Sequence, residues 1–205
     1  HEQLGRPTVR TPARVLPMSD QPVRTRVLSG DRWWGLQEFL LRNRGEGGII
    51  DVDFRGARCS SPSPEVLEAI AHARAIIIGP SNPVISIGPI LALPGLREAL
   101  VATPAPVVAV SPIVGGEALR GPAAAMMRTL GHEPSPLGVA DIYSGLIDAM
   151  VIDEVDSSVA ADLQRRGLVP RPPGPITPDA AARPPPRAPA PAARGTAPPH
   201  GPPRP

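Results

Sequence analysis

The sequence predicts an α/β protein: helices on a three-layer parallel sheet, with a small β-rich unit ahead of it and a disordered tail behind. Three observations carry this. Two short apolar runs, Ile76–Ile78 and Pro106–Val110, each leave through a Ser- and Pro-containing turn with glycine and pass into a helical segment. That is the pattern of parallel strands covered on both faces. Ahead of them, Val23–Leu28 and Ile49–Phe54 alternate apolar and charged residues, the period of half-buried strands. After Val169 the composition turns to Pro, Ala and Arg.

His1–Pro12 is polar and without period, a loop or frayed end. Arg14–Leu16 and Val23–Leu28 read as two short strands around the loop Pro17-Met18-Ser19-Asp20-Gln21-Pro22. Ser19 or Asp20 there can bond to its own backbone. Ser29-Gly30-Asp31 is a hairpin-like turn, and Arg32–Leu36 the return strand. Trp33 and Trp34 are neighbours on it and face opposite ways, so one is expected in the core and the other partly exposed. An exposed ring could stack on a flat ligand, but core packing is the better reading for either.

Leu36–Arg44 reads as a helix with Leu36, Phe39, Leu40 and Leu41 near one face. Arg42 and Arg44 suit a phosphate and equally suit a solvated helix end. Gly45–Gly48 breaks the helix. In the next strand Ile50, Val52 and Phe54 alternate with Asp51 and Asp53, an exposed face rather than a metal site. Ser63 is the expected N-cap of a helix that opens with Pro64 and Glu65 and carries Val66, Leu67, Ile70 and Ala71 as its apolar stripe. His72 is expected to be exposed near its end.

After the strand Ile76–Ile78, the stretch 79–89 lacks regular periodicity and reads as a strand-exit loop. Pro94-Gly95 breaks the following segment before a helix at Leu96–Leu100. Ser111–Gly116 leaves the next strand. Ala118–Leu130 is expected to be helical, with Leu119, Ala123, Met126, Met127 and Leu130 buried and Gly131 as its C′ cap. The methionines are core fillers. Helix Pro136–Ile147, strand Ala149–Ile152 and helix Ser158–Arg166, capped by Gly167, complete the body. Asp153, Glu154 and Asp156 could bind a ribose or a metal, or serve as helix N-terminal acids; the residues favour neither.

Fifteen of the 31 prolines lie at or after Pro170. Such a stretch buries too little area to offset chain ordering, so 1–169 is the folding domain and 170–205 a disordered tail. All 21 basic residues are arginine, and the net charge is only +2, which argues against nucleic acid as a partner. Cys59 is the only cysteine. No intramolecular disulfide can form, and a reducing cytoplasm is the expected compartment. There is no apolar leader, and no run of 18 apolar residues to span a membrane.

A loop beyond the carboxyl end of a parallel strand is where open α/β sheets bind ligands. The N–H groups of 79–89 and the Ser81, Asn82 and Ser86 side chains suit a phosphate. Ser111, Gly115 and Gly116 form the parallel loop of the next strand. By residues alone, ordinary strand-to-helix turns are the better reading.

The run GPSNPVISIGPILALPGLREAL (79–100), followed by APVVAVSPIVGG (105–116), resembles the CofD-like family. So do LPMSDQPVRTRV (16–27), LQEFLLR (36–42) and PSPEVLEAI (62–70). The family comprises the 2-phospho-L-lactate and phosphoenolpyruvate transferases of deazaflavin coenzyme (F-420) biosynthesis, and the actinobacterial branch looks most similar. The resemblance covers Arg14 to Val169. It implies a Rossmann-like sheet that is incomplete here, because the glycine-rich first βα unit belongs ahead of the LPMSD motif. The family's last strand and terminal helix are not recognisable.

The implied reaction moves a phosphoacid unit from a guanosine diphosphate-linked donor to the deazaflavin Fo, with Mg²⁺ and release of GMP. Ser81, Asn82 and Ser86 would hold the diphosphate, and Ser111, Gly115 and Gly116 would line the nucleotide side. Met18, Ser19 and Asp20 would lie towards the acceptor. No catalytic base or metal ligand is assigned, and a homodimer stays open. The alternatives are a non-catalytic nucleotide-binding or interaction remnant of the same fold, and an unrelated α/β nucleotide-binding module.

Overall fold

Residues that favour extended backbone build two main sheets in the computed structural model, which describes residues 13–42, 48–119 and 121–171. The expectations for His1–Pro12, Arg44, Gly45–Gly47 and the segment after Arg171 lie outside the described residues.

The first sheet is antiparallel, with β1 (Arg24–Ser29) between β2 (Arg32–Gly35) and β3 (Ile49–Arg55). Val27 is fully buried and stands opposite Trp34 and Val52. On the other face Arg26 stands opposite Asp53 and pairs with it at 2.5 Å. A register shift between Leu28 and Ser29 reverses the start of β3. Ile49 is therefore buried and Ile50 is exposed, against the simple alternation. Neither tryptophan is fully buried: Arg26 stacks over the Trp33 ring at 5.0 Å and Arg32 over Trp34 at 4.1 Å. Arg14–Leu16 is not a strand. Just beyond it the Pro17 and Met18 carbonyls are engaged by Ser63, which donates its hydroxyl to one and its N–H to the other.

Helix α1 (Leu36–Arg42) buries Phe39, and Arg42 pairs with Glu38 one turn back. Helix α2 (Pro64–Ala71) opens at Ser63 as expected, although the Ser63 hydroxyl serves Pro17 rather than capping the helix. Leu67 is partly exposed on α2.

The second sheet is parallel, in the order β4 (Ile76–Ile78), β5 (Val107–Val110), β8 (Ala149–Val151), β9 (Val169–Arg171). Strand β9 takes in Pro170 and Arg171, the first residues of the expected tail. Proline is tolerated there because β9 is an edge strand. The order runs in one direction, so right-handed crossovers place the connecting helices on one face. These are α3 (Gly88–Leu91), α4 (Leu96–Ala102), α5 (Ala123–Thr129), α6 (Pro136–Ile142) and α7 (Ala160–Arg165). On one sheet face Val107, Ala109 and Met150 are fully buried. On the other, Ile77, Val108, Ala149 and Val169 stand in register across all four strands. Ile77 there is 65% exposed. The apolar strand Ile76–Ile78 is thus covered on one face, not two, by the described residues.

Between β5 and α5 the chain forms a small hairpin, β6 (Ile113–Val114) and β7 (Glu117–Ala118). The expected helix from Ala118 begins only at Ala123. Gly115 and Gly116 both adopt positive φ, 58° and 82°, which turns the chain back on itself. Leu119 is consequently exposed, whereas Met126 and Met127 are fully buried as expected. Helix α6 ends before Tyr143, earlier than Ile147, and 154–159 is a 3₁₀ turn leading into α7.

The two sheets meet where Phe54 of β3 rests on the start of α3. A Cβ on Gly88 would lie 2.8 Å from the Phe54 ring. No single helix among the described residues is long and apolar enough to cross a membrane. The apolar pair Pro83–Leu91 and Leu96–Ala102 is bent by 85° and buries Pro83, Val84, Leu91, Leu96 and Leu100.

Candidate functional site at the strand ends

The strand-exit stretch after β4 is helical rather than irregular. Pro83–Ile87 is a π-helical turn that runs into α3. Its wide winding hides any 3.6-residue period, and such turns are frequent at functional sites. Asn82 is its N-cap: Oδ1 accepts from the N–H groups of Val84 (2.9 Å) and Ile85 (3.2 Å). The Asn82 carbonyl accepts from Ser86 and Ile87. The N–H groups of 84–87 are therefore occupied, and the loop offers a ligand its side chains instead. The signal for this was present in the sequence, since Asn followed by Pro is a helix start.

A cavity of about 430 Å³ opens over this turn. One wall is Pro80, Ser81, Asn82, Ile85 and Ser86; the other is Pro112, Leu119, Pro122 and Ala123. It thus lies at the carboxyl ends of the adjacent parallel strands β4 and β5, where open α/β sheets take their ligands. Ser81 and Ser86 are exposed. Asn82 Nδ2 lies 3.5 Å from Met126 Sδ, a weak acceptor that leaves the amide capacity for a stronger one.

The other named residues stand elsewhere. Ser111 is buried; its Oγ donates to the Ile113 carbonyl and accepts from the Ile113 N–H. The Gly115 N–H donates to Asp156, 3.1 Å from each carboxylate oxygen. Neither Ser111, Gly115 nor Gly116 lines the cavity. In the 17–22 loop, Ser19 Oγ bonds to Gln21, and Gln21 Oε1 accepts from the Ser61 N–H. Met18 packs against the core, and Asp20 is exposed.

Of the three acids after β8, Asp153 caps the 3₁₀ turn by accepting from the Val155 N–H, and Asp156 reaches the hairpin. Among the described residues no three His, Cys, Asp or Glu side chains come together to hold a metal. The cavity lining contains no carboxylate, so these residues do not fit Mg²⁺ by themselves.

Fold and cavity together define an open parallel α/β protein with a cavity at its strand-exit loops. The family model described as "2-phospho-L-lactate transferase CofD" matches residues 5–175. The chain belongs to that family. It is 44% identical over 159 residues to a 2-phospho-L-lactate transferase of Methanosarcina mazei, covering 76% of this chain and 50% of that protein. It is 41% identical over 160 residues to a phosphoenolpyruvate transferase of Kitasatospora aureofaciens, again 76% of this chain and 50% of the relative. Among solved structures, the Bacillus halodurans protein BH3568 has the same fold at 20% identity and TM-score 0.52, over 78% of this chain and 54% of that one. The chain spans about half the length of the curated relatives it matches.

Proposed function

We propose that this chain supplies the donor-binding part of a transferase of coenzyme F-420 biosynthesis. The reaction moves a phosphoenolpyruvyl or 2-phospholactyl group from a guanosine diphosphate-linked donor to a hydroxyl of the deazaflavin Fo, and GMP leaves. The observation that carries the reading is the cavity at the ends of β4 and β5, where the Ser81, Asn82 and Ser86 side chains converge. The Ser81 and Ser86 hydroxyls and Asn82 Nδ2 would donate to diphosphate oxygens, while Ile85 and Leu119 supply apolar walls. Such groups position a phosphate rather than exchange protons with it. Among the described residues no titratable side chain lines the cavity, so none of them there takes the acceptor proton. Met18, Ser19 and Asp20 are assigned to the acceptor side. Mg²⁺ would neutralise developing charge in phosphoryl transfer, and the described cavity lining, which holds no carboxylate, would not ligate it by itself.

Calorimetric titration with guanosine diphosphate tests the cavity. The double variant Ser81→Ala/Ser86→Ala should bind about tenfold more weakly, the worth of one to two net hydrogen bonds, with an unchanged melting temperature. Unchanged affinity would remove the cavity from the reading. The chain alone is expected to bind donor without turnover when supplied with Fo, donor and Mg²⁺ and followed by chromatography. Turnover near that of a full-length relative would show that the chain already holds the whole machinery.

A further inference from the structure

The carboxylate of Asp156 is buried at 8% exposure, yet it caps nothing on its own turn. The capping there is done by Asp153. Both oxygens of Asp156 instead lie 3.1 Å from the Gly115 nitrogen, 41 residues earlier in the chain. Gly115 is the first residue of the β6–β7 turn, and that hairpin leads directly into Leu119, Pro122 and Ala123, the far wall of the cavity. Pro122 and Ala123 are held by α5, which packs on β3 and on the Pro83–Ile87 turn, whereas the hairpin ahead of them is held by the Leu119 N–H bonding back to the Pro112 carbonyl, by β6 on α6 and by β7 on α5.

We infer that Asp156 is a positioning residue, which sets the width of the cavity by holding the hairpin turn to the segment that follows β8. This rests on the cavity being the donor site. The hydrogen bond that Asp156 accepts fixes a two-glycine turn that otherwise has wide conformational freedom. With the anchor gone, the hairpin and Leu119 at its end drift from the β4 loop while Pro122 stays with α5, and a ligand must order the hairpin on binding. Asp156 itself lies off the cavity lining.

The test combines guanosine diphosphate titration with amide hydrogen exchange at Gly115, on the whole chain. Asp156→Ala should speed Gly115 exchange at least tenfold and weaken binding at least fivefold. Asp156→Asn retains an acceptor oxygen and should stay within about twofold of the parent on both readouts. A merely structural role would lower the melting temperature of Asp156→Ala without the affinity loss, and that result overturns the inference. Equal weakening by Asn and Ala would also overturn it, since charge rather than the anchor would then be acting. If Asp156→Ala does not fold, Asp156→Ser, whose hydroxyl is one bond too short to reach Gly115, decides: faster Gly115 exchange with at least fivefold weaker binding supports the role, and any other result refutes it. The Ser81→Ala/Ser86→Ala variant separates the two readings. Weakened binding there with none in Asp156→Ala sinks the anchor alone; no effect in either sinks the donor site and the anchor with it.

Discussion

Tyr143 is 1% exposed, and its hydroxyl has no hydrogen-bond partner among the described residues. An unpaired buried hydroxyl costs roughly 1–3 kcal/mol, so removing it should stabilise the fold. Tyr143→Phe deletes one oxygen and leaves the ring in place. We expect a gain of about 1 kcal/mol or more, seen as a rise in melting temperature of roughly 2–4 °C per kcal/mol for a chain of this size. Burial also pushes the Tyr143 ionisation well above its ordinary value of 10.0. The folded protein then keeps the phenol proton at pH values where the unfolded chain releases it. Stability is fully present below pH 10 and falls above it, by about 1.4 kcal/mol per pH unit until the folded group itself ionises. Tyr143→Phe should lack this component of the alkaline fall. Tyr143 is the only tyrosine in the chain, so tyrosinate absorbance reports on it alone. A tyrosinate midpoint near 10 in the folded protein, or a loss of stability in Tyr143→Phe, would show that the hydroxyl has found a partner or water, and the reasoning would fail.

Ending the chain after Arg171 should leave chemical denaturation unchanged. Ending it after Val169 should cost on the order of 1 kcal/mol or more, because the Ile152 N–H loses the Arg171 carbonyl and β8 its partner strand; equal stability of the two would mean β9 contributes nothing. Asn82→Ala should lower stability by about 1 kcal/mol, since two N–H groups lose their cap, and should weaken guanosine diphosphate binding more than Fo binding in calorimetry. Gly138→Ala should be the most damaging glycine change. Its Cβ would come within 1.9 Å of the Glu133 carbonyl oxygen, so overpacking of 1–3 kcal/mol or more is expected in a thermal melt.

The sheet was legible where the residues themselves leave one choice. Three consecutive isoleucines and the Val107–Val110 run are strands, and the Ser, Pro and Gly that stop them mark the side on which the cavity opens. The alternation of β1 was legible too, because Val27 buries and Arg26 finds Asp53 across the sheet. The reversal at Ile49 and Ile50 was not, since a register shift belongs to the pair of strands and neither sequence carries it alone. The hairpin at Ile113–Ala118 was missed for a related reason. Leu119, Ala123, Met126 and Met127 keep helical spacing, but Gly115-Gly116 turns the chain before the helix can start.

The site divides along the same line. Ser81, Asn82 and Ser86 follow one strand and share one turn, so local chemistry brings them together in the cavity. Ser111 and Gly115 have the same residue chemistry in an equivalent loop, yet their polar groups are consumed internally. A serine two residues before a free backbone N–H closes its own turn, and a glycine N–H goes to whichever buried acceptor the next crossover brings. That acceptor, Asp156, lies one strand further on, and nothing near it in sequence indicates where its carboxylate points. What distinguishes the two loops is therefore which polar groups the fold has already satisfied. Among the described residues, two exposed hydroxyls and part of an amide in the β4 loop remain uncommitted, and a ligand rich in acceptor oxygens is the natural complement to three unspent donors.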